Sequence, residues 1–341
     1  MAFISEAQLK EQMDSGALAR LYVVCGGEEY LKQHYAARIC EAACDEAFRD
    51  FNFHRFEGKE LDLNTLAQAT DAMPLGGGRT CVFVRDFNLE AMKDDKDFLS
   101  FLGDLPEHTT LVFWMDTVEW KPKKHKALLE AVNAAGHVLE CSSPDAAQTL
   151  RILAAGAKRR GCTIDRGTAQ YMLESVGNDL NLLQNEVQKL CAYAGEGNGI
   201  TRAHIDAVCV KSLDAKSFDM VKAVAARDGT TALRLLDELF RQKVAPQLLL
   251  GSLAANYVDL FRAAMAMQSG KKAEAPASLF DYKGKAFRLQ NAGRMAARYP
   301  LPRIGRCLEI LGQADRQLKS TGLDNKLIME QCLIGLLNAQ S

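Results

Sequence analysis

Five short runs rich in β-branched and aromatic residues recur before residue 143: RLYVVCG from Arg20, FNFHRFEG from Phe51, RTCVFVRDF from Arg79, TTLVFWMD from Thr109 and HVLECSS from His137. Between them lie amphipathic stretches such as EEYLKQHYAARICEAACDEAF and LNTLAQATDA, whose apolar residues return at helical spacing. Strand and helix in regular alternation admit few folds, and the pattern predicts an α/β domain over residues 1–142 with a parallel sheet covered by helices on both faces. Beyond that point the strand signals stop. Ser143-Pro144-Asp145 reads as a helix start, a hydroxyl cap followed by proline at the first helical position. Short helices then run to residue 211, with Gly161, Gly177 and Gly195 at their expected ends. A second helical group fills 212–341, its amphipathic helices read from Ser217 onward.

The first run, LYVVCGGEEYL from Leu21 to Leu31, has the outline of a strand, a glycine turn and a helix that holds nucleotide phosphates. A working loop is G-x-x-x-x-G-K-[ST], in which backbone N–H groups surround the phosphates, the lysine meets them and the hydroxyl binds magnesium. Here Gly26 and Gly27 are followed by Glu28, Glu29 and Tyr30. The loop is short, has no Lys-Ser/Thr, and sets carboxylates at a helix N-terminus where they repel a triphosphate. TTLVFWMD ends on the lone Asp116, without the acidic pair that positions magnesium. Nucleotide hydrolysis by this chain is not expected.

Charge and cysteine usage narrow the remaining classes. The 42 Lys and Arg residues nearly balance 43 Asp and Glu, so no global basic field marks a nucleic-acid or membrane partner. Glu6, Lys10 and Glu11 interrupt the N-terminus where a signal peptide needs an apolar core, and the expected location is cytoplasmic. The ten cysteines and six histidines are dispersed, with no C-x-x-C pair, and the cysteines read as buried, reduced thiols. No metal or cofactor is expected.

Three segments together resemble a known family: LYVVCGGEEYL, SVGNDLNLLQNEVQKLCAYAG with Gly-Asn-Asp-Leu and the E-x-x-K-L of Glu186 to Leu190, and ADRQLKSTGLDNKLIMEQCLIGLL near the carboxyl end. They resemble the delta subunit of the bacterial DNA polymerase III clamp loader, an AAA+-like protein, and the likeness runs the length of the chain. The resemblance implies a degenerate AAA+ core at 1–142 that binds the clamp, a helical lid at 143–211, and an all-α collar at 212–341 that assembles with other subunits. It also implies a non-catalytic subunit that binds the ring-shaped sliding clamp (beta) and holds it open for loading onto primed DNA. Its partners would be the tau/gamma ATPase subunits and delta-prime, with no membrane partner. The DNA-directed DNA polymerase activity, a nucleotidyltransferase activity, would belong to the holoenzyme. An active ATPase motor subunit of the same architecture, or a helical adaptor unrelated to replication, are the alternatives.

In this family the clamp contact lies after the helix that precedes the third strand, which carries onto Met73, Pro74, Leu75 and Gly76. Pro74 would present Met73 and Leu75 on an exposed turn. The alternative is a plain helix-to-strand turn with both side chains packed inward. Many relatives carry an aromatic residue here, where this chain has Gly76-Gly77-Gly78, so an aromatic at Gly76 is expected to tighten clamp binding. The stretch WKPKKHK offers Lys121, Lys123 and Lys124 as candidate contacts to DNA or an acidic partner, or as a solvated helix start.

Overall fold

The computed structural model describes residues 2–59, 61–121, 123–282, 285–296, 299–320 and 322–339. By its internal contacts the chain divides into two compact units, Met1–Ser143 and Pro144–Ser341.

The first unit contains α1 (Glu6–Ser15), β1 (Leu21–Cys25), α2 (Glu29–Ala43), α3 (Arg49–Asn52), β2 (Phe53–Glu57), α4 (Leu63–Asp71), β3 (Thr80–Arg85), α5 (Lys96–Gly103), β4 (Thr109–Trp114), α6 (Lys126–Ala135) and β5 (Gly136–Glu140). The five strands form one parallel sheet in the order β2-β3-β4-β1-β5. Every residue of β1 and β4 is buried, which requires cover on both faces, while the edge strand β2 is half exposed. Alternate side chains of β1, β3 and β4 meet Phe87, Phe98, Leu102, Leu128 and Val132 in a single apolar core.

Within this unit two boundaries differ from the sequence reading, and each has a local cause. The amphipathic pattern that runs on to Phe48 breaks after Ala43, because Asp45 caps a short 3-10 turn at Glu46–Phe48 by accepting from the Ala47 amide. The run from Phe51 enters β2 only at Phe53, since residues 49–52 close a helical turn.

The second unit contains α7 (Ala146–Arg159), β6 (Thr163–Ile164), α8 (Arg166–Val176), α9 (Leu180–Ala194), β7 (Gly199–Ile200), α10 (Arg202–Val208), α11 (Leu213–Ala225), α12 (Gly229–Arg241), α13 (Pro246–Gln268), α14 (Phe287–Ala296), α15 (Leu301–Ser320) and α16 (Asn325–Asn338). The cap of α7 is Asp145, in a capping box with Gln148, rather than Ser143: the carboxylate reaches the Gln148 amide at 2.7 Å while Gln148 returns to the Asp145 amide. Strands do not vanish entirely, for β6 and β7 pair in parallel over two residues each. Gly177 and Gly195 end α8 and α9, and Gly161 follows α7 with φ 73°. The helix expected from Ser217 begins earlier, at Leu213, where Ser212 accepts from the Ala215 amide. From α11 onward one apolar core runs through Leu236, Leu253, Tyr257, Leu289, Ile304 and Leu333.

Among the described residues no helix is long and apolar enough to cross a membrane, and no cluster of His, Cys, Asp or Glu is placed to hold a metal ion. All ten cysteines are free thiols and, except Cys209, buried.

Candidate functional site

Two places in the first unit bear on function: the glycine turn after β1 and the loop between α4 and β3.

At the first, Gly26 adopts φ 119°, and a Cβ there would fall 2.3 Å from the carbonyl oxygen of Cys141, so only glycine fits. The Glu28 amide donates to that same Cys141 carbonyl at 3.0 Å. An N–H group that a phosphate loop would turn toward its ligand is thus consumed inside the protein. Glu28 is the residue before α2 and makes no side-chain cap to it, whereas Ser143 Oγ donates to its carboxylate at 3.5 Å.

Lys32 supplies a second obstruction, which sequence spacing did not disclose. Its side chain is only 2% exposed, and Nζ donates to the Met115 carbonyl at 3.2 Å, faces Asp116 Oδ1 at 3.4 Å and Glu29 Oε2 at 3.2 Å, and stands 4.3 Å from the centroid of the Trp114 ring. β4 pairs with β1, so this cation lies at the carboxyl ends of two neighbouring central strands. Open α/β sheets take their ligands outside those strand ends. Asp116, which the sequence shows without the acidic neighbour that positions magnesium, faces this ammonium group.

The second place is the loop Ala72 to Arg79. The carboxylate of Asp62 caps α4 by accepting from Thr65, and the helix ends at Asp71, with Ala72 already extended at φ −60° and ψ 122°. Met73 is 80% exposed and Leu75 50%, with Pro74 half-buried between them. The side chains do not pack inward. Three contacts fix the backbone beneath them. The buried Asn52 accepts from the Leu75 amide at 2.8 Å and donates to the Leu75 carbonyl at 3.0 Å, and Thr80 Oγ1 donates to the Ala72 carbonyl at 2.7 Å. The Cys44 thiol donates toward the carbonyls of Asn52 and Arg79, at 3.5 and 3.7 Å, tying the two flanks together. Asn52 is a further site residue that sequence reasoning missed. It lies inside a β-like run, and nothing local marks it as the partner of a loop 23 residues away.

The three glycines answer to backbone geometry. Gly76, Gly77 and Gly78 have φ of 73°, 87° and 82°, a left-handed run that side chains oppose. At Gly76 a Cβ would also stand 2.4 Å from carbons of the Phe48 ring. An aromatic residue at Gly76 would therefore reach a partner's pocket only if the Phe48 ring moved aside.

The basic stretch precedes α6, which starts at Lys126 after His125. Lys121 pairs with Glu119 at 3.0 Å, Lys124 pairs with Glu90, and His125 Nε2 meets Glu90 Oε2 at 2.6 Å, while Lys123 is exposed. Hydrogen bonds from Lys124 and then His125 hold the Glu90 carboxyl down at about 2.

Comparison with known proteins accords with this layout. A family model described as DNA polymerase III, delta subunit, matches residues 22–142, and one described as the C-terminal domain of the DNA polymerase III delta subunit matches residues 214–336. Over 334 residues the chain is 22% identical to DNA polymerase III subunit delta of Bacillus subtilis, covering 96% of this chain and 95% of that one. It is 21% identical over 251 residues to a protein of Aquifex aeolicus described as a probable DNA polymerase III subunit delta, covering 71% and 70% of the two. Among solved structures, the Bacillus subtilis DNA clamp loader delta protein superposes with a TM-score of 0.60 at 22% identity, over 97% of this chain and 99% of the other.

Proposed function

Since this chain belongs to the delta-subunit family of DNA polymerase III, a clamp-loader component, we propose that it is a non-catalytic subunit that docks on the sliding clamp through Met73, Pro74, Leu75 and Gly76. The observation that carries this reading is an exposed apolar pair, Met73 and Leu75, on a loop whose backbone is fixed by the buried Asn52. A rigid apolar projection loses little freedom on binding, so more of its contact energy appears as affinity. Such a subunit opens a ring only to the extent that it binds the open form better than the closed one.

The same reading assigns clamp docking to residues 1–142, a lid to 143–211 and assembly with the tau/gamma ATPases and delta-prime to 212–341. The work of ATP falls to those partners. Supporting this are the Lys32 ammonium in the strand-end crevice and the Glu28 amide spent on Cys141. DNA polymerisation belongs to the holoenzyme that the loaded clamp serves, in the cytoplasm. Lys121, Lys123 and Lys124 are the proposed contact to primed DNA or an acidic neighbour, for which Lys121 and Lys124 would exchange Glu119 and Glu90.

Binding of the purified chain to the sliding clamp of the same organism, followed by calorimetry, tests the proposal. Met73→Ala with Leu75→Ala should weaken the complex by about 2 kcal/mol or more. Unfolding should hardly change, because neither side chain is buried. Full-strength binding by the double variant would overturn the site, and magnesium-dependent ATP turnover by the isolated chain would overturn the non-catalytic assignment.

A further inference from the structure

Among the described residues of the first unit, the large apolar side chains that are exposed are Phe3, Phe51, Met73 and Leu75, and the three most exposed are Met73, Phe51 at 66% and Leu75. Those three come from two segments far apart in sequence and joined in space. Asn52, the residue after Phe51, exchanges two hydrogen bonds with the backbone of Leu75, and the Phe48 ring lies against Gly76. Phe48 and Asn52 both meet the loop, and Phe51 sits in the helical turn Arg49–Asn52 directly beside Asn52 in the chain. A phenyl ring in water adds nothing to the core, yet the turn that carries it is held as firmly as the loop.

We propose that Phe51 is a third anchor of the docking surface, so that the partner's pocket must accept an aromatic ring together with the side chains of Met73 and Leu75. This rests on the clamp-docking reading, and the occupant is the apolar pocket of the sliding clamp that would take Met73 and Leu75. Continuity argues for that occupant: the two hydrogen bonds at Asn52 make Phe51 and Leu75 parts of one rigid piece, and a pocket that engages one approaches the other. Aromatic side chains bring large contact area with few rotatable bonds, which is why they concentrate binding energy at interfaces. The surface is thus discontinuous in sequence, and the 72–79 loop is only part of it.

The test uses the full chain and the sliding clamp of the same organism. Phe51→Ala should weaken binding about tenfold or more with an unchanged melting temperature, and Phe51→Leu, which keeps apolar bulk, should lose less. Unaltered binding by Phe51→Ala, beside a clear loss in Met73→Ala with Leu75→Ala, would overturn the role of Phe51 and leave the docking loop standing. No loss in either variant would overturn both. A fall in melting temperature on Phe51→Ala, or a self-association of the parent that Phe51→Ala abolishes, would assign the ring to the fold or to a second copy of the chain and refute the proposal.

Discussion

The ammonium of Lys32 lies 3.4 Å from the carboxylate of Asp116, joining the first turns of α2 to the residues that follow β4. A phosphate loop brings a lysine and a magnesium-linked carboxylate to the same end of a sheet with a nucleotide between them. Here the cation and the carboxylate meet each other directly. The burden is uneven: Lys32 is buried, whereas Asp116 is 92% exposed and keeps most of its water. The pairing therefore works more as a means of satisfying one buried cation than as a source of net stability.

Replacing Lys32 separates these roles. Lys32→Ala empties a buried side chain whose ammonium stands over the Trp114 ring and should destabilise the protein by about 2 to 5 kcal/mol, the range for truncating a large buried side chain. Lys32→Met fills most of that space and removes the charge, leaving its solvated carboxylate partners in water, so it should cost markedly less. Denaturant unfolding of both variants decides the matter, and equal losses would show that the charge, not the packing, holds the site. Neither variant should acquire ATP binding, because the Glu28 amide remains bonded to Cys141.

Asn52 offers a test of the loop that does not touch its exposed surface. Asn52→Ala leaves both the amide and the carbonyl of Leu75 without their partner, which should cost about 1 to 3 kcal/mol of stability. Clamp binding should weaken as well, since Met73 and Leu75 would be presented by a looser backbone. Calorimetry under conditions where the variant is fully folded checks this. Normal affinity there would mean that the loop adopts its docking form on contact, whatever Asn52 does.

Much of this architecture could be read from residue order because its signals are local. The strand runs of β1, β3 and β4 carry the continuous apolar stretches LYVVC, CVFV and LVFW, as buried parallel strands must, and the glycines after α7, α8 and α9 mark their ends. Asp145 was within reach of the same reasoning, but the Ser-Pro pair beside it drew the helix start two residues too early. The functional geometry was less legible because its partners are distant along the chain. The contact of Lys32 with Asp116 spans 84 residues and that of Asn52 with Leu75 spans 23, and neither leaves a mark on spacing or periodicity. Similarly, Gly76-Gly77-Gly78 reads as a loop lacking an aromatic until Phe48 is seen to occupy the space.

The basic stretch before α6 should respond to acid through Glu90. Its carboxyl is held at about 2 in the folded protein, below the ordinary 4.5, by Lys124 and His125. A depressed carboxyl contributes stability that is present above the unfolded value and lost as pH falls toward the folded one. The melting temperature of the parent should therefore drop further than that of Glu90→Gln between pH 4.5 and 2. Because the group is solvent-facing, added salt should shrink the difference. Parallel melting curves for the two proteins across this range would count against the assignment.

At the triple glycine, backbone strain and steric overlap can be told apart. Gly77 has φ 87° with open space where a Cβ would go, so Gly77→Ala should cost only the penalty of the left-handed conformation, about 1 to 2 kcal/mol. Gly76→Ala carries a similar backbone penalty and in addition drives a methyl group into the Phe48 ring, so it should be the more destabilising of the two. Phe48→Ala combined with Gly76→Ala should recover part of that extra loss, because the ring that the methyl strikes is gone, and the double-mutant cycle isolates the overlap from the strain. Gly76→Phe should weaken clamp binding, since the new side chain must displace Phe48 and with it the turn that holds Asn52 against Leu75. Equal stabilities of Gly76→Ala and Gly77→Ala, with tighter clamp binding by Gly76→Phe, would show that Phe48 yields freely and that the loop itself accepts an aromatic anchor.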